Sequence, residues 1–96
     1  MRHKVVVTRR AEDDLEAIGD HVARENRRAA YALISRIRDR IAGLADHPER
    51  YRLRPQLGPA YRVLVVDAYV VVYRVAADTV VVMRIFHGAR DYRRHL

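Results

Sequence analysis

The 96-residue sequence predicts an α+β fold in which an N-terminal strand and a helical hairpin precede a three-stranded antiparallel meander, in the order β-α-α-β-β-β. Two amphipathic helical patterns lie next to each other in the first half of the chain. Three segments rich in valine and tyrosine, separated by short connections, fill most of the second half. Such a chain buries its apolar surface by laying the helix pair on the sheet, in two layers.

The first strand and helix are predicted at the N-terminus. Residues 3–7 form a β-branched run that is typical of a strand. Thr8 stands where a helix N-cap belongs, and the helix dipole favours the acids of the first turn, Glu12 and Asp13. Apolar residues then recur at spacings of four, three and four and mark one helical face: Ala11, Leu15, Ile18 and Val22.

A second helix follows a break at Glu25 and Asn26, with Asn26 as its predicted cap. Pro48 prevents this helix from continuing, because proline restricts the residue before it to extended conformations. Two adjacent helices that are each apolar on one side predict a helical hairpin. The apolar stripe of the second helix consists of Ala30, Leu33, Ile34, Ile37, Ile41 and Leu44.

Residues 47–60 contain three prolines and predict a basic loop, which leads to strands at 61–66, 69–75 and 79–86. Both faces of this sheet are largely apolar, and two helices cover only one of them. The other face is expected to meet a partner chain, or else to be covered by the loop and the C-terminal tail. If both hairpins are tight, one face carries Arg62, Leu64, Val66, Tyr69, Val71, Tyr73, Val82, Arg84 and Phe86, and a one-residue slip swaps the faces.

Composition limits the classes of function. The absence of cysteine excludes disulfide frameworks and thiolate metal sites, and the histidines lack ligand spacing, so we expect no metal and no cofactor. Without a signal peptide or a membrane-length apolar run, residues 1–96 are predicted to form a single cytoplasmic domain. The net charge of +7 comes almost entirely from arginine, and no acid lies between Glu49 and Asp67. This basic pole is expected to attract nucleic acid or acidic proteins.

Short motifs follow one another along nearly the whole chain: Thr8-x-x-Ala11-x-x-Asp14-Leu15-x-x-Ile18, Asn26-x-x-Ala29-Ala30, His47-Pro48, Arg62-Val63-Leu64, Tyr69-x-x-x-Tyr73-Arg74-Val75 and Arg84-Ile85-Phe86-His87-Gly88-Ala89-Arg90-Asp91. In this order and at these spacings they resemble the ParE-type toxins of the RelE/ParE toxin–antitoxin superfamily. The resemblance implies the fold described above. It also implies a type II toxin that a cognate, ParD-like antitoxin neutralises in a hetero-oligomer.

The resemblance leaves two toxic activities open. RelE-like members cut messenger RNA on the ribosome, and Arg62, Arg84 and His87 are the candidate catalytic residues for that chemistry, as phosphate ligands and general base. ParE-like members poison DNA gyrase. The motifs look more like ParE, because the lysine-rich strand face of the nucleases is missing. We therefore expect a gyrase inhibitor that acts by binding; a module that binds only the antitoxin is the third hypothesis.

Two contact surfaces are predicted. The target is expected to contact Arg50, Arg52, Arg54, Arg62, Arg84, Arg90, Tyr92 and Arg93. An acidic antitoxin segment is expected to fold over the hairpin and sheet and to contact Leu33, Ile37, Ile41, Tyr69, Val71 and Tyr73. Structural alternatives exist for several of these residues. Arg62 and Arg84 could pair with Asp14 or Asp67, Arg74 with an acid of the first helix, and His87 could have a hydrogen-bonding role, while Tyr69 and Tyr73 are favoured as packing residues.

Overall fold

The predicted order of elements is confirmed in a computed structural model, which describes residues 2–91. None of the helices in this part of the chain has the length and apolar character needed to cross a bilayer. The elements are β1 (Lys4–Val7), α1 (Arg9–Ala23), α2 (Arg27–Ala42), β2 (Tyr61–Val66), β3 (Tyr69–Ala76), β4 (Thr79–His87) and the short α3 (Gly88–Asp91).

Both helices begin at the predicted caps. The Thr8 side chain accepts a hydrogen bond from the Ala11 amide at 3.1 Å, and the Asn26 side chain accepts one from the Ala29 amide at 2.9 Å. Both cap residues have extended backbones, as N-caps require. Each cap satisfies an amide that has no partner within its helix, and so fixes where the helix begins.

The four strands are arranged in the order β1-β4-β3-β2. The meander β2-β3-β4 is antiparallel, as predicted, but β1 pairs parallel to β4, from Lys4 opposite Thr79 to Val7 opposite Val82. The sheet is therefore mixed rather than wholly antiparallel. The parallel pairing is possible because the whole of the intervening chain serves as the long connection that parallel neighbours need.

A β-bulge in β4 divides the predicted register into a correct and a wrong part. Arg62 lies opposite Tyr73, and Tyr73 opposite Val82, so these residues share the predicted face. The register then shifts between Val72 and Tyr73, and Val72 lies opposite Arg84. The predicted faces of Arg84 and Phe86 are therefore wrong, because one extra residue reverses the alternation of every side chain beyond it.

The main core lies between the helix pair and one face of the sheet, and its buried residues are Ala11, Leu15, Leu33, Ile37, Ile41, Leu44, Leu64, Val66, Tyr69, Val71, Tyr73, Val80, Val82 and Ile85. A smaller cluster on the opposite face contains Val70, Val72 and Phe86, against which Leu57 and Tyr61 pack. The loop before β2 therefore covers part of this second face. Gly58, at a φ of 141°, permits the close approach, because a Cβ there would lie 2.7 Å from the Tyr61 ring.

Candidate functional site

The arginines of the loop between α2 and β2 form a basic surface. Arg50 and Arg52 are exposed and Arg54 is half-buried. The segment runs beside β2, where Leu53 bridges to Arg62 and the Arg54 amide donates to the Tyr61 carbonyl at 2.7 Å. The backbone of this loop is thus tied to the sheet, and its arginines are presented from a fixed frame.

Arg62 holds the loop in place. Its Nη1 donates to two main-chain carbonyls, that of Glu49 at 2.8 Å and that of Tyr51 at 2.6 Å. The Tyr73 hydroxyl donates to a third carbonyl of the same loop, that of Pro48, at 2.6 Å. Burial raises the pKa of Tyr73 to about 12, so this donor keeps its proton at neutral pH. The structure assigns Arg62 a tethering contact that differs from the predicted partners Asp14 and Asp67.

Tyr51 lies at the centre of this basic surface. Arg50 Nη2 donates to the Tyr51 hydroxyl at 3.2 Å, and the Arg50 guanidinium carbon lies 5.1 Å from the centre of the Tyr51 ring. A hydrogen bond from Arg40, at the end of α2, lowers the pKa of the Tyr51 phenol, and Arg50 acts in the same direction. The ring packs edge-on against Tyr73, with centroids 6.5 Å apart. Two arginines from separate elements therefore favour the ionised form of one phenol.

Arg84 is paired with Asp14 of α1. Its Nε donates to Asp14 Oδ2 at 2.9 Å and its Nη2 to Oδ1 at 3.2 Å, with only 23% and 17% of the two side chains exposed. The same carboxylate accepts the Ile85 amide at 2.8 Å. The pairing of β1 with β4 ends at Val82, so the Ile85 amide has no partner in β1 and donates to Asp14 instead. The structural alternative predicted for Arg84 is confirmed.

His87 lies on the helix side of the sheet at the end of β4. It stands opposite Tyr69, and the two rings meet edge to face with centroids 5.3 Å apart. The neighbouring Gly88 amide donates to the Ala68 carbonyl at 2.8 Å, which closes this end of the hairpin. His87 is half-buried beside the turn between α1 and α2 rather than in the basic surface.

The predicted ion pair between Arg74 and the first helix is wrong. Arg74 lies opposite Val81 on the sheet face turned away from the helices, and it is exposed. Its side chain points away from α1 because it alternates with the buried Tyr73. Asp67 pairs instead with Arg36 of α2, at 2.6 Å.

The six residues predicted to contact the antitoxin belong to the chain's own core. Each is at most 7% exposed: Leu33, Ile37, Ile41, Tyr69, Val71 and Tyr73. The helical stripe and the sheet face are buried against each other, so neither forms a surface for a partner in this fold. The packing role favoured for the two tyrosines is the one that the structure shows.

The C-terminal part of the predicted target surface is described only in part. The backbone of Arg90 belongs to α3, and the predicted contacts Tyr92 and Arg93 lie outside the described residues.

Arg40 and Tyr51 were missing from the predicted surface. An aromatic residue between two arginines was the available signal for Tyr51, whereas no local pattern indicates that Arg40 approaches it.

Comparisons with known proteins agree with this architecture. The family model for the ParE toxin of the type II toxin–antitoxin system parDE matches residues 5–92. Toxin RelE2 of Caulobacter vibrioides is 38% identical over 87 residues, which are 91% of this chain and 97% of that protein.

Solved structures of toxins and their complexes share the fold. The chromosomal ParDE system from P. aeruginosa matches with a TM-score of 0.78 and 25% identity over 90% of this chain and 96% of that chain. A double arginine-to-alanine mutant of toxin RelE of E. coli, in the free state, has a TM-score of 0.69 and 16% identity, over 99% of this chain and 94% of that chain, and shows the fold alone. Because the family model spans nearly the whole sequence, this chain belongs to the ParE toxin family of type II toxin–antitoxin systems.

Proposed function

We propose that this toxin acts by binding DNA gyrase and that a ParD-like antitoxin neutralises it. The observation that carries the proposal is that the three candidate nuclease residues do not converge. Arg84 and His87 lie on opposite faces of the sheet, because Arg84 is opposite Val72 and His87 is opposite Tyr69. Arg62 is opposite Tyr73, four residues along β3 from Tyr69, which separates it from His87 by roughly 13 Å of strand.

Attack of a ribose 2′-hydroxyl on its phosphate requires a base and a cation within hydrogen-bond reach of one reacting group. The Arg84 guanidinium is instead held by Asp14, and the Arg62 guanidinium by two main-chain carbonyls. Recruiting either arginine for catalysis would leave groups in the fold without their partners. These contacts support an activity based on binding.

The similarity to Toxin RelE2 favours a second candidate, a RelE-like ribosome-dependent nuclease. In that case the basic surface would contact RNA. Substrate binding would have to bring His87 and an arginine to the same phosphate.

An antitoxin partner is supported by the likeness to the ParDE system and by apolar surface beside β2. β2 is the last strand of the sheet, and Leu53 bridges to its start at Arg62, whereas Val65 lies nearer the end of the strand and is 57% exposed. The chain's net charge of +7 favours an acidic segment. An acidic, initially disordered peptide that adds apolar contacts along this edge would fit these features.

The test is expression of the chain alone from an inducible promoter, with growth, DNA supercoiling and messenger RNA cleavage measured together. We expect growth arrest, loss of supercoiling with cleaved DNA, and intact messenger RNA. Coexpression of the antitoxin is expected to restore growth. It should restore growth less well when the toxin carries Val65→Glu than when it carries the control substitution Ala17→Glu, on the exposed side of α1. Cut messenger RNA with normal supercoiling, abolished by His87→Ala, would establish the nuclease instead. Unimpaired growth would indicate a module that only binds the antitoxin.

A further inference from the structure

The sheet face turned away from the helices, the open face, is apolar and basic. The sequences of β1, β2, β3 and β4 contain no acidic residue. Arg74 is exposed on the open face, directly across from Tyr61, and Tyr61 packs against the smaller apolar cluster. Val65 alternates onto the same face and is 57% exposed. Because the strands carry no carboxylate, the open face complements a partner that supplies acids together with apolar groups.

A pocket of about 290 Å³ lies in the open face. Most of the side chains that line it are apolar, among them the buried Val72 and Phe86 and the half-buried Leu57 and Tyr61. The β-bulge adds Met83, which has no partner in the register of β3 with β4. Pockets for small molecules range from about 300 to 1,000 Å³, so this volume suits one large apolar side chain better than a cofactor.

Arg10 brings a positive charge to the same pocket. It lines the pocket from the first turn of α1 and is exposed. Within residues 2–91 the Arg10 guanidinium has no hydrogen bond or ion pair, whereas its neighbour Arg9 lies 3.7 Å from Asp13. The N-terminal end of α1 adds to the positive potential. The pocket therefore combines an apolar lining with a cation that no carboxylate of the described chain neutralises.

We propose that the open face binds an acidic segment of the toxin's protein target, with one large apolar side chain of that segment in the pocket and carboxylates beside it at Arg10 and Arg74. The identity of the target rests on the proposed function, whereas the chemistry of the segment rests on this surface.

Other occupants match the open face less well. A second copy of the chain has a net charge of +7, and residues 92–96 contain two arginines and no acid, so both would bring like charge to Arg10 and Arg74. The phosphates of a DNA duplex would satisfy the two cations, but its backbone offers no apolar side group for the pocket. An acidic protein segment with an apolar anchor satisfies both parts of the surface.

The first test is binding of the peptide acetyl-Glu-Asp-Trp-Asp-Glu-amide to the full chain. The chain has no tryptophan, so the peptide's fluorescence reports burial of its own indole and should shift to shorter wavelength on binding. The Arg10→Glu/Arg74→Glu variant is compared with Arg27→Glu/Arg28→Glu, which changes the charge equally at exposed positions of α2, on the other side of the sheet. We expect the first pair to weaken binding about tenfold or more, and the control less than about threefold. Equal loss in both variants, or loss in neither, would overturn the surface.

A change in the peptide tests the pocket without any substitution in the protein. The same peptide with glycine in place of tryptophan should compete about tenfold less well, because it lacks the apolar side chain that the pocket buries. Equal competition by the two peptides would contradict an anchored side chain. A DNA duplex that binds more tightly than the peptide, with the same dependence on Arg10 and Arg74, would replace the acidic protein by nucleic acid.

A cellular measurement separates the target from the antitoxin. The Arg10→Glu/Arg74→Glu variant is expected to arrest growth less than the parent chain and still to copurify with the coexpressed antitoxin. Loss of copurification would assign the open face to the antitoxin instead. The peptide assay contains no gyrase and no antitoxin, so its failure is distinct from failure of the proposed function.

Discussion

Replacing Asp14 by alanine tests the contact that joins α1 to the end of β4. The Asp14 carboxylate accepts three hydrogen bonds, two from Arg84 and one from the Ile85 amide, at 2.8 to 3.2 Å. Asp14→Ala removes both carboxylate oxygens, and with them all three hydrogen bonds. It takes the carboxylate away from the Arg84 guanidinium and from the Ile85 amide, in a region that solvent reaches only in part.

The expected magnitude follows from these groups. An orphaned buried amide costs about 1–3 kcal/mol, and breaking a fully buried ion pair costs about 3–5 kcal/mol. Side-chain exposures of 17% and 23% allow water to recover part of this, so we expect a loss of about 2–4 kcal/mol. A domain of this size has a free energy of unfolding of roughly 5–14 kcal/mol and loses about 4–8 °C of melting temperature per kcal/mol, so the variant should melt at least about 8 °C lower.

Urea denaturation followed by far-ultraviolet circular dichroism measures this loss, since the chain has no tryptophan. Asp13→Ala is the matched control, because Asp13 is exposed and only 3.7 Å from an exposed Arg9; its effect should stay within about 0.5 kcal/mol. Arg84→Met combined with Asp14→Ala should recover part of the loss by removing the charge that the Asp14 carboxylate balances. An Asp14→Ala variant as stable as the Asp13→Ala control would refute the contact.

Three further predictions concern stability. A hydrogen bond from Arg38 lowers the pKa of Glu12, so this pair should contribute up to about 1 kcal/mol to the free energy of unfolding above pH 4.5. The contribution should be lost as the pH falls through the lowered pKa. In urea titrations, Arg38→Ala should therefore be less stable than the parent chain at neutral pH and equally stable below that pKa. The pKa of Tyr73 is raised to about 12, so between pH 10 and about 12 the Tyr73 phenol ionises only in the unfolded chain. The free energy of unfolding should therefore fall by about 2–3 kcal/mol over this range. Tyr73→Phe should remove this pH dependence in alkaline urea titrations. Ala77 has a φ of 56°, so Ala77→Gly should raise the thermal midpoint by stabilising the turn by roughly 0.5–1 kcal/mol, whereas Ala17→Gly inside α1 should lower it by a similar amount.

The candidate site was predictable to the extent that it depends on local charge. Arg50 and its neighbours could be assigned to a basic surface because no acid follows them before Asp67. The place of Arg40 could not be predicted, because its approach to Tyr51 depends on where α2 ends and how the loop folds back under Arg62. The core positions of Leu33 and Tyr69 followed from periodicity, but periodicity does not distinguish a face that packs internally from one that binds a partner.

The sequence by itself determined the elements and the family: helix caps, apolar stripes, valine-rich strands and ordered motifs are all properties of residues close together in the chain. Only the tertiary structure decided that β1 pairs parallel to β4 and that a bulge turns Arg84 to the face opposite His87. A strand pattern repeats every two residues, so one extra residue reverses its faces without changing the composition that predicts the strand. The effect of Arg40 on the pKa of Tyr51 likewise depends on how α2 and the following loop lie together, which local patterns do not encode.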